Sequence, residues 1–233
     1  MEFVFIRHAE SQYNVRLTEN LDSRLTDAGY WQVKSLATWL KQNWPSISSY
    51  EGLVSPYWRC LETARLLREE CGINFTVDPG PMEIRIYRYH PLVPRRADEF
   101  PMFNWDLYPE DMALKRETID EYMGRMEGFL ATFGQEGPHP GKKWWERWLV
   151  ISHGTPCQTM AEMAAGIHEI PTDFDKVKNC SISWVDQGEM IYFNKVVYGD
   201  FGGASGPLCE RSVGVATPGG RLDVPGPDNG HQI

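Results

Sequence analysis

In Phe3-Val4-Phe5-Ile6-Arg7-His8-Ala9-Glu10-Ser11, four apolar residues lead directly into a charged and polar cluster. A short, uninterrupted apolar run of this kind is typical of a strand buried in a parallel sheet. A second run ends in the same way, in Leu149-Val150-Ile151-Ser152-His153-Gly154. Open α/β sheets bind their ligands outside the carboxyl ends of the strands. The two histidines therefore predict a pocket at the carboxyl ends of neighbouring parallel strands.

Two arginines indicate what such a pocket would hold. Arg7 immediately precedes His8, and Arg59 lies four residues after Ser55, which closes the apolar run Gly52-Leu53-Val54. A guanidinium group stays ionised and grips two oxygens of an anion at once. The sequence therefore predicts a phosphate pocket formed by arginine and histidine. Taken singly, each of these side chains also fits a structural role, such as a satisfied strand-end histidine or a solvated helix charge.

The overall composition excludes several classes of protein. The 233 residues fit one large α/β domain, or one domain with a tail. The formal net charge of −9, from 23 basic and 32 acidic residues, argues against a general nucleic-acid-binding or anionic-membrane-binding surface. No apolar run approaches the roughly 18 residues that a membrane span needs. The first residues lack the basic segment and cleavage site of a signal peptide, so we expect none.

The cysteines indicate a reducing environment. They stand at positions 60, 71, 157, 180 and 209, with irregular spacing and no C-x-x-C pair. This pattern predicts neither a disulfide framework nor a zinc site. Reduced thiols are typical of the cytoplasm, so we expect a cytoplasmic protein.

Strand and helix patterns alternate along the chain, which predicts an α/β fold. The chain should form one domain over residues 1–198, with an irregular insert over about 85–110, and a flexible tail rich in Gly, Pro and Asp over 199–233. After the first strand, the predicted elements are a helix capped by Thr26 and closed by Pro45, strand Gly52–Ser55, helix Arg59–Glu70, strand Asn74–Val77, helix 110–133, strand Trp148–Ser152, helix Thr159–Ala165, and the strand pair Ser181–Val185 and Met190–Phe193.

Four motifs stand beside these predicted elements. They are Arg7-His8-Ala9-Glu10-Ser11-Gln12-Tyr13-Asn14, Leu25-Thr26-Asp27-Ala28-Gly29-Tyr30-Trp31-Gln32, Ser55-Pro56-Tyr57-Trp58-Arg59-Cys60-Leu61-Glu62-Thr63-Ala64 and Ser152-His153-Gly154. Over about residues 2–197 the chain thereby resembles the histidine phosphatase superfamily. One short motif recurs by chance, whereas four in the family's order are specific. The resemblance implies a phosphoglycerate-mutase-like fold, a three-layer α/β/α sandwich with a mostly parallel central sheet.

The resemblance also implies a mechanism. His8 would attack phosphorus through one ring nitrogen and form a phosphohistidine, while a main-chain carbonyl holds the other nitrogen. Nearby guanidinium groups would keep the imidazole neutral by like-charge repulsion. Arg7 and Arg59 would offset the charge on the equatorial phosphate oxygens.

Further phosphate contacts are expected around this centre. Asn14 would donate an amide hydrogen, although asparagine before a loop is often only a turn former. His153 would bind a phosphate oxygen and stabilise the pentacoordinate charge. The backbone N–H groups of Gly154 and Thr155 open the next helix and would add anion contacts.

The leaving alkoxide needs a proton, so a general acid is required. Glu83 follows the third strand, where the family carries this acid, and a bound phosphate should raise its pKa. Glu10 is the other carboxylate within reach, but we expect it to orient the loop or to pair with an arginine. The family usually has glycine at the position of Ala9. A positive φ there would cost alanine about 1 kcal/mol.

The insert offers two interpretations. Its arginines (Arg85, Arg88, Arg95 and Arg96) would bind a second anionic group and its aromatic residues would stack on a substrate ring, or the insert is a lid whose aromatic residues only pack on the sheet edge. Trp144, Trp145 and Trp148 are expected in the core.

We predict a phosphomonoesterase that acts on a small phosphorylated substrate and needs neither metal nor cofactor, because arginine and histidine supply the positive charge. Phosphoglycerate mutases carry Glu-Arg-x-Tyr-Gly after the third strand, whereas this chain has Glu83-Ile84-Arg85-Ile86-Tyr87. A mutase-type phosphotransferase remains the alternative within the family. A non-catalytic binding module that retains the fold is the alternative outside it.

Overall fold

A computed structural model describes residues 1–85, 93–109, 116–134, 147–168 and 177–198. Its centre is one six-stranded sheet with the order β3-β2-β4-β1-β5-β6. The strands are β1 (Glu2–Arg7), β2 (Glu51–Val54), β3 (Asn74–Val77), β4 (Arg147–Ser152), β5 (Ile182–Asp186) and β6 (Glu189–Lys195). The predicted tail at 199–233 and two of the tryptophans, Trp144 and Trp145, lie outside the described residues.

The first four strands are parallel, and β5 and β6 add an antiparallel edge. Strands β1 and β4 are neighbours and end level with each other, since Arg7 pairs with Ser152. Strand β2 lies on the other side of β4. The carboxyl ends of β1, β4 and β2 therefore share one edge of the sheet, as the sequence predicted for the first two.

Alternating side chains of the central strands build two separate cores. Val4 and Ile6 of β1 face one core, which contains the apolar residues of helices α1 (Asp27–Asn43) and α2 (Trp58–Cys71). Phe3 and Phe5 face the other, which contains those of α3 (Ile119–Ala131) and α4 (Gly154–Ala164). Because side chains alternate across a strand, an uninterrupted apolar run feeds both faces. The predicted three-layer α/β/α sandwich is confirmed.

The helix boundaries follow local capping chemistry. Thr26 caps α1 as predicted, since its side chain accepts a hydrogen bond from the Gly29 backbone. The helix ends at Asn43, and Pro45 opens a 3-10 turn. Helix α4 spans Gly154–Ala164, so it begins directly after His153, where its first N–H groups were expected, and it covers most of the predicted helical stretch Thr159–Ala165.

The prediction of a helix from about residue 110 was wrong. Residues 116–118 are irregular, and α3 begins only at Ile119. Thr118 and Glu121 form a capping box there, which satisfies the first backbone N–H groups and sets the start of the helix. Residues 110–115 lie outside the described part.

The described part of the insert supports the packing interpretation of its aromatic residues. Phe103 and Trp105 are buried. Phe103 contacts Phe75 of β3 edge-on at 6.1 Å between ring centroids, and Asn104 bridges to Thr76. Trp148 is likewise a core residue that packs against Phe133. Among the described residues, no helix combines the length and the hydropathy that crossing a membrane requires.

Candidate active site

Three neighbouring strands each end in a polar side chain that faces the same place. His8 follows β1, His153 follows β4 and Ser55 follows β2. Backbone hydrogen bonds connect these strand ends: the His8 amide donates to the Ser152 carbonyl at 2.8 Å, and the Ser55 amide donates to the Ile151 carbonyl at 3.0 Å. The two imidazoles meet edge-on, with 5.3 Å between ring centroids.

His8 is held as a neutral imidazole. It is buried, and its Nδ1 lies 2.7 Å from the carbonyl oxygen of Ala9. Since a carbonyl only accepts, Nδ1 carries the proton and Nε2 keeps its lone pair. Burial, with the charges of Arg59 and Arg7, places the pKa of His8 well below its ordinary value. The imidazole is therefore neutral at pH 7, with a proton on Nδ1 and a lone pair on Nε2.

Arg59 bridges the two imidazoles. Its Nε donates to His8 Nε2 at 2.9 Å, and its Nη2 lies 2.8 Å from His153 Nδ1. Its Nη1 donates to the Leu21 carbonyl. A cation in the first turn of a helix opposes the helix dipole, so the stability of α2 does not account for this arginine. The guanidinium group is instead buried where three strand ends meet.

His153 is buried between Arg59 and Ser55. Its Nε2 lies 2.9 Å from Ser55 Oγ. Because Arg59 can only donate, Nδ1 of His153 accepts, and Nε2 then donates to the serine. Tyr57 stacks edge-on against His153 at 4.9 Å between ring centroids, and its ring also lies 4.8 Å from the guanidinium carbon of Arg59.

Arg7 reaches the site from the end of β1. Its Nη1 donates to the Val177 carbonyl, and its guanidinium group lies against Gly154, the first residue of α4. A Cβ at Gly154 would lie 3.4 Å from that guanidinium group, an ordinary van der Waals contact, so the two groups are direct neighbours. Helix α4 therefore presents its first turn, with Gly154 and the buried Thr155, beside Arg7.

Glu83 brings a carboxyl group to the same cluster. Its Oε2 lies 3.5 Å from His153 Nδ1 and 3.7 Å from Arg59 Nη2. Burial raises the pKa of Glu83, and this effect outweighs the opposing charges of Arg59 and Arg7. The site thus combines an imidazole whose pKa is lowered with a carboxyl group whose pKa is raised, and perturbed pKa values of this kind cluster at functional sites.

Asn14 lies next to the backbone of the first motif, beside the cluster. Its Oδ1 accepts from the Ser11 amide at 3.1 Å and from Asn179 Nδ2 at 3.0 Å, and Asn179 also donates to the His8 carbonyl at 3.1 Å. Glu10 faces away, since its Oε1 accepts from Thr26 Oγ1 at 2.7 Å. Glu10 thereby ties the first motif to the start of α1.

Ala9 fits its position without strain. It is not among the non-glycine residues with positive φ, so the cost considered for alanine does not arise. The residue is fully buried, and its amide donates to Thr63 Oγ1 at 3.2 Å.

Two of the insert's arginines are committed to internal ion pairs. Arg85 Nη2 lies 3.1 Å from Glu117, and Arg96 Nη2 lies 2.5 Å from Asp22. The prediction that they bind a second substrate anion is therefore wrong for these two. Arg95 is exposed, and Arg88 lies outside the described residues.

Sequence reasoning did not assign a role to several residues of the cluster. Ser55 ends a parallel strand just as His8 and His153 do, and the same argument would have found it. No position at the end of an apolar run points to the other three residues, Tyr57, Val177 and Asn179. They contact the cluster through residues that are distant along the chain.

Comparison with known proteins bears on this geometry. The model of the histidine phosphatase superfamily, branch 1, matches residues 3–191. The chain belongs to this superfamily. A probable phosphoglycerate mutase GpmB of Cronobacter sakazakii is 25% identical over 194 residues, which span 80% of this chain and 85% of that protein.

Solved structures share the fold at lower identity. A putative alpha-ribazole-5'-P phosphatase from Escherichia coli superimposes with a TM-score of 0.58 at 19% identity, over 86% of this chain and 99% of that one. A mycobacterial glucosyl-3-phosphoglycerate phosphatase has a TM-score of 0.53 at 20% identity, over 79% of this chain and 90% of that one. These two likenesses support the predicted phosphoglycerate-mutase-like fold.

Proposed function

We propose that this protein is a phosphomonoesterase in which His8 carries the phosphoryl group. The proposal rests on the protonation and orientation of the His8 imidazole. Its Nδ1 is fixed by the Ala9 carbonyl and its Nε2 lone pair points at a guanidinium group. A nucleophile held neutral beside permanent positive charge suits attack on a dianionic phosphate.

The reaction has two displacements. In the first, Nε2 of His8 attacks phosphorus, the bond from phosphorus to the ester oxygen breaks, and the Glu83 carboxyl gives that oxygen its proton. In the second, water attacks phosphorus and loses a proton to the Glu83 carboxylate. The P–N bond breaks, phosphate leaves, and the lone pair returns to His8. Both enzyme groups end in the state in which they began.

Arg59 has two tasks in this scheme. In the free protein its Nε donates to His8 Nε2, the atom that must attack. A bound phosphate takes over these donors, so the guanidinium group turns from the imidazoles to the equatorial oxygens. Arg7, Asn14 and the first N–H groups of α4, at Gly154 and Thr155, supply further positive charge or donors. His153 joins them as an imidazolium, with a second proton on the Nδ1 that Arg59 leaves. No metal or cofactor enters the scheme.

A phosphoglycerate-mutase-type phosphotransferase is the second candidate, favoured by the names of the curated relatives. A mutase must also bind the carboxylate of its substrate. Arg85 and Arg96 are neutralised by Glu117 and Asp22 inside the protein, so they do not provide that second anion site. The hydrolase is therefore the better supported of the two. A binding module without activity would not need an acid and a base with opposed pKa shifts.

The test compares the wild-type protein with His8→Ala. We expect the wild type to hydrolyse p-nitrophenyl phosphate and to yield an acid-labile phosphohistidine on rapid quenching, and the variant to do neither. The same preparation is then given 3-phosphoglycerate. Isomerisation far faster than phosphate release would establish the mutase, and equal activity of wild type and variant, or none in either, would refute the proposed mechanism.

A further inference from the structure

The loop that carries Glu83 is held by side chains from other elements. Arg125 of α3 donates through Nη1 to the carbonyls of Gly80, at 2.7 Å, and Met82, at 3.0 Å. Its Nη2 lies 3.4 Å from the Glu83 carbonyl. The Pro81 carbonyl accepts from Ser152 Oγ at 2.5 Å. Four successive carbonyl groups are thus each held from outside the loop.

Glu117 fixes Arg125 in this orientation. Its two oxygens accept from Nη2 of Arg125 at 2.6 Å and from Nε at 3.0 Å, and it also accepts from the Arg85 amide at 2.9 Å. Burial by itself would raise the pKa of Glu117, but the hydrogen bonds from Arg125 and Arg85 outweigh it and lower the pKa. Glu117 is therefore ionised, and the planar guanidinium group is gripped at both edges.

Helix α3 also packs closely on the loop and on α4. A Cβ at Gly80 would lie 2.3 Å from Cδ2 of Phe129, so only glycine allows the loop to lie this near the helix. The Tyr122 hydroxyl is 2.8 Å from Thr159 Oγ1 on α4, the helix that follows His153. Helix α3 therefore contacts both the Glu83 loop and α4, the helix that begins directly after His153.

We propose that Arg125, oriented by Glu117, is a positioning residue that fixes the Glu83 carboxyl group at the leaving-group oxygen. The inference rests on the proposed function, because it assigns the means by which that function's acid is aligned. A proton donor must lie within about 2.6–3.2 Å of its acceptor. If the hydrogen bonds from Arg125 to the loop carbonyls are lost, the loop can shift and Glu83 no longer stays within that distance of the leaving-group oxygen.

The predicted effect is selective. An alkyl phosphate has a poor leaving group and needs the proton of Glu83, whereas p-nitrophenolate leaves without one. The ratio kcat/KM reports only the steps up to release of the alcohol, so later hydrolysis of the phosphoenzyme does not enter the comparison.

The experiment measures kcat/KM for 2-phenylethyl phosphate and for p-nitrophenyl phosphate. We expect Arg125→Gln to lower the alkyl value about 10–100-fold, a part of the usual contribution of a general acid, and the aryl value less than about 3-fold. Arg125→Lys keeps the positive charge but lacks the planar guanidinium group, so the loss of kcat/KM for the alkyl ester should be intermediate. The matched control is Arg116→Gln, which changes an exposed arginine next to Glu117 in the chain and should leave both values unchanged.

A double-mutant cycle separates positioning from general destabilisation. In a Glu83→Gln background, Arg125→Gln should have no further effect on the alkyl ester. Equal losses on both esters, or losses that multiply with Glu83→Gln, would overturn the inference. If Arg125→Gln does not fold, Glu117→Gln, which frees the guanidinium group, takes its place with the same expectation.

The two proposals fail differently. A wild-type protein inactive on both esters contradicts the proposed function. An active wild type whose alkyl rate depends on Glu83 but not on Arg125 contradicts only the positioning role.

Discussion

Removal of the Arg59 guanidinium group should affect His8 in two measurable ways. Arg59→Met keeps a buried aliphatic stem but removes the donors to His8 Nε2, at 2.9 Å, and to His153 Nδ1, at 2.8 Å. It also removes the arginine whose charge lowers the pKa of His8 more than that of Arg7 does. We therefore expect a slower enzyme whose nucleophile is more easily protonated.

The size of the loss follows from the number of donors. One preorganised donor to a transition-state oxyanion contributes roughly 10²–10³-fold to kcat. Arg59 directs two donors, Nε and Nη2, into the site, but Arg7 and His153 share the same oxygens. We expect kcat for p-nitrophenyl phosphate to fall by roughly 10³-fold in Arg59→Met, and Arg59→Lys to recover part of it, because an ammonium restores charge without the planar fork.

The pKa effect is read by NMR, so it does not depend on residual activity. The Hε1 resonance of His8, assigned by its absence in His8→Gln, is followed as pH falls. The pKa of His8 should rise in Arg59→Met, and less in Arg7→Met, because Arg7 is the smaller of the two charge effects. Arg116→Met, at an exposed site, is the control and should change nothing. An unchanged pKa in Arg59→Met, or a larger rise in Arg7→Met, would refute the electrostatic account of the nucleophile.

Three further perturbations test other parts of the site. Because burial raises the folded-state pKa of Glu83 above 4.5, the neutral carboxyl group contributes stability that is lost as pH rises through the raised pKa. Glu83→Gln should therefore melt progressively higher than wild type as pH rises above about 4.5, and a pH-independent difference would contradict this. Arg96→Met leaves buried Asp22 without its ion-pair partner and should lower the free energy of unfolding in urea by about 3–5 kcal/mol, partly restored by adding Asp22→Asn; a loss below about 1 kcal/mol would show that the pair is not needed. Dialysis against EDTA should leave phosphatase activity unchanged, whereas complete loss that zinc or magnesium reverses would exclude a metal-free mechanism.

The sequence predicted most of the fold because its signals are local. Apolar runs marked β1 and β4, a threonine marked the start of α1, and the closing strand pair was expected within a few residues of β5 and β6. The predicted start of α3 was wrong because the apolar pattern in the sequence extends before Thr118. The capping box at Thr118 sets the first residue of the helix instead. A pattern of side-chain types does not show which residue satisfies the first N–H groups.

The candidate site was predictable only as far as strand ends determine it. That His8 and His153 close apolar runs is visible in the sequence, and parallel strands end at one edge of a sheet. The ion pairs of Arg85 and Arg96 were not visible, since Glu117 and Asp22 lie far from them along the chain and resemble any other surface carboxylate.

The sequence by itself determined the class of fold, its buried strands and the side chains available at their ends, because periodicity and capping act within a few residues. Only the tertiary structure decided that β4 lies between β1 and β2, and that Arg59 therefore reaches His8 and His153 together. It also decided that Nδ1 of His8 meets the Ala9 carbonyl and that Arg125 holds the Glu83 loop. Hydrogen bonds and charge effects act over a few ångströms of space, and the strand order sets which distant residues come that close.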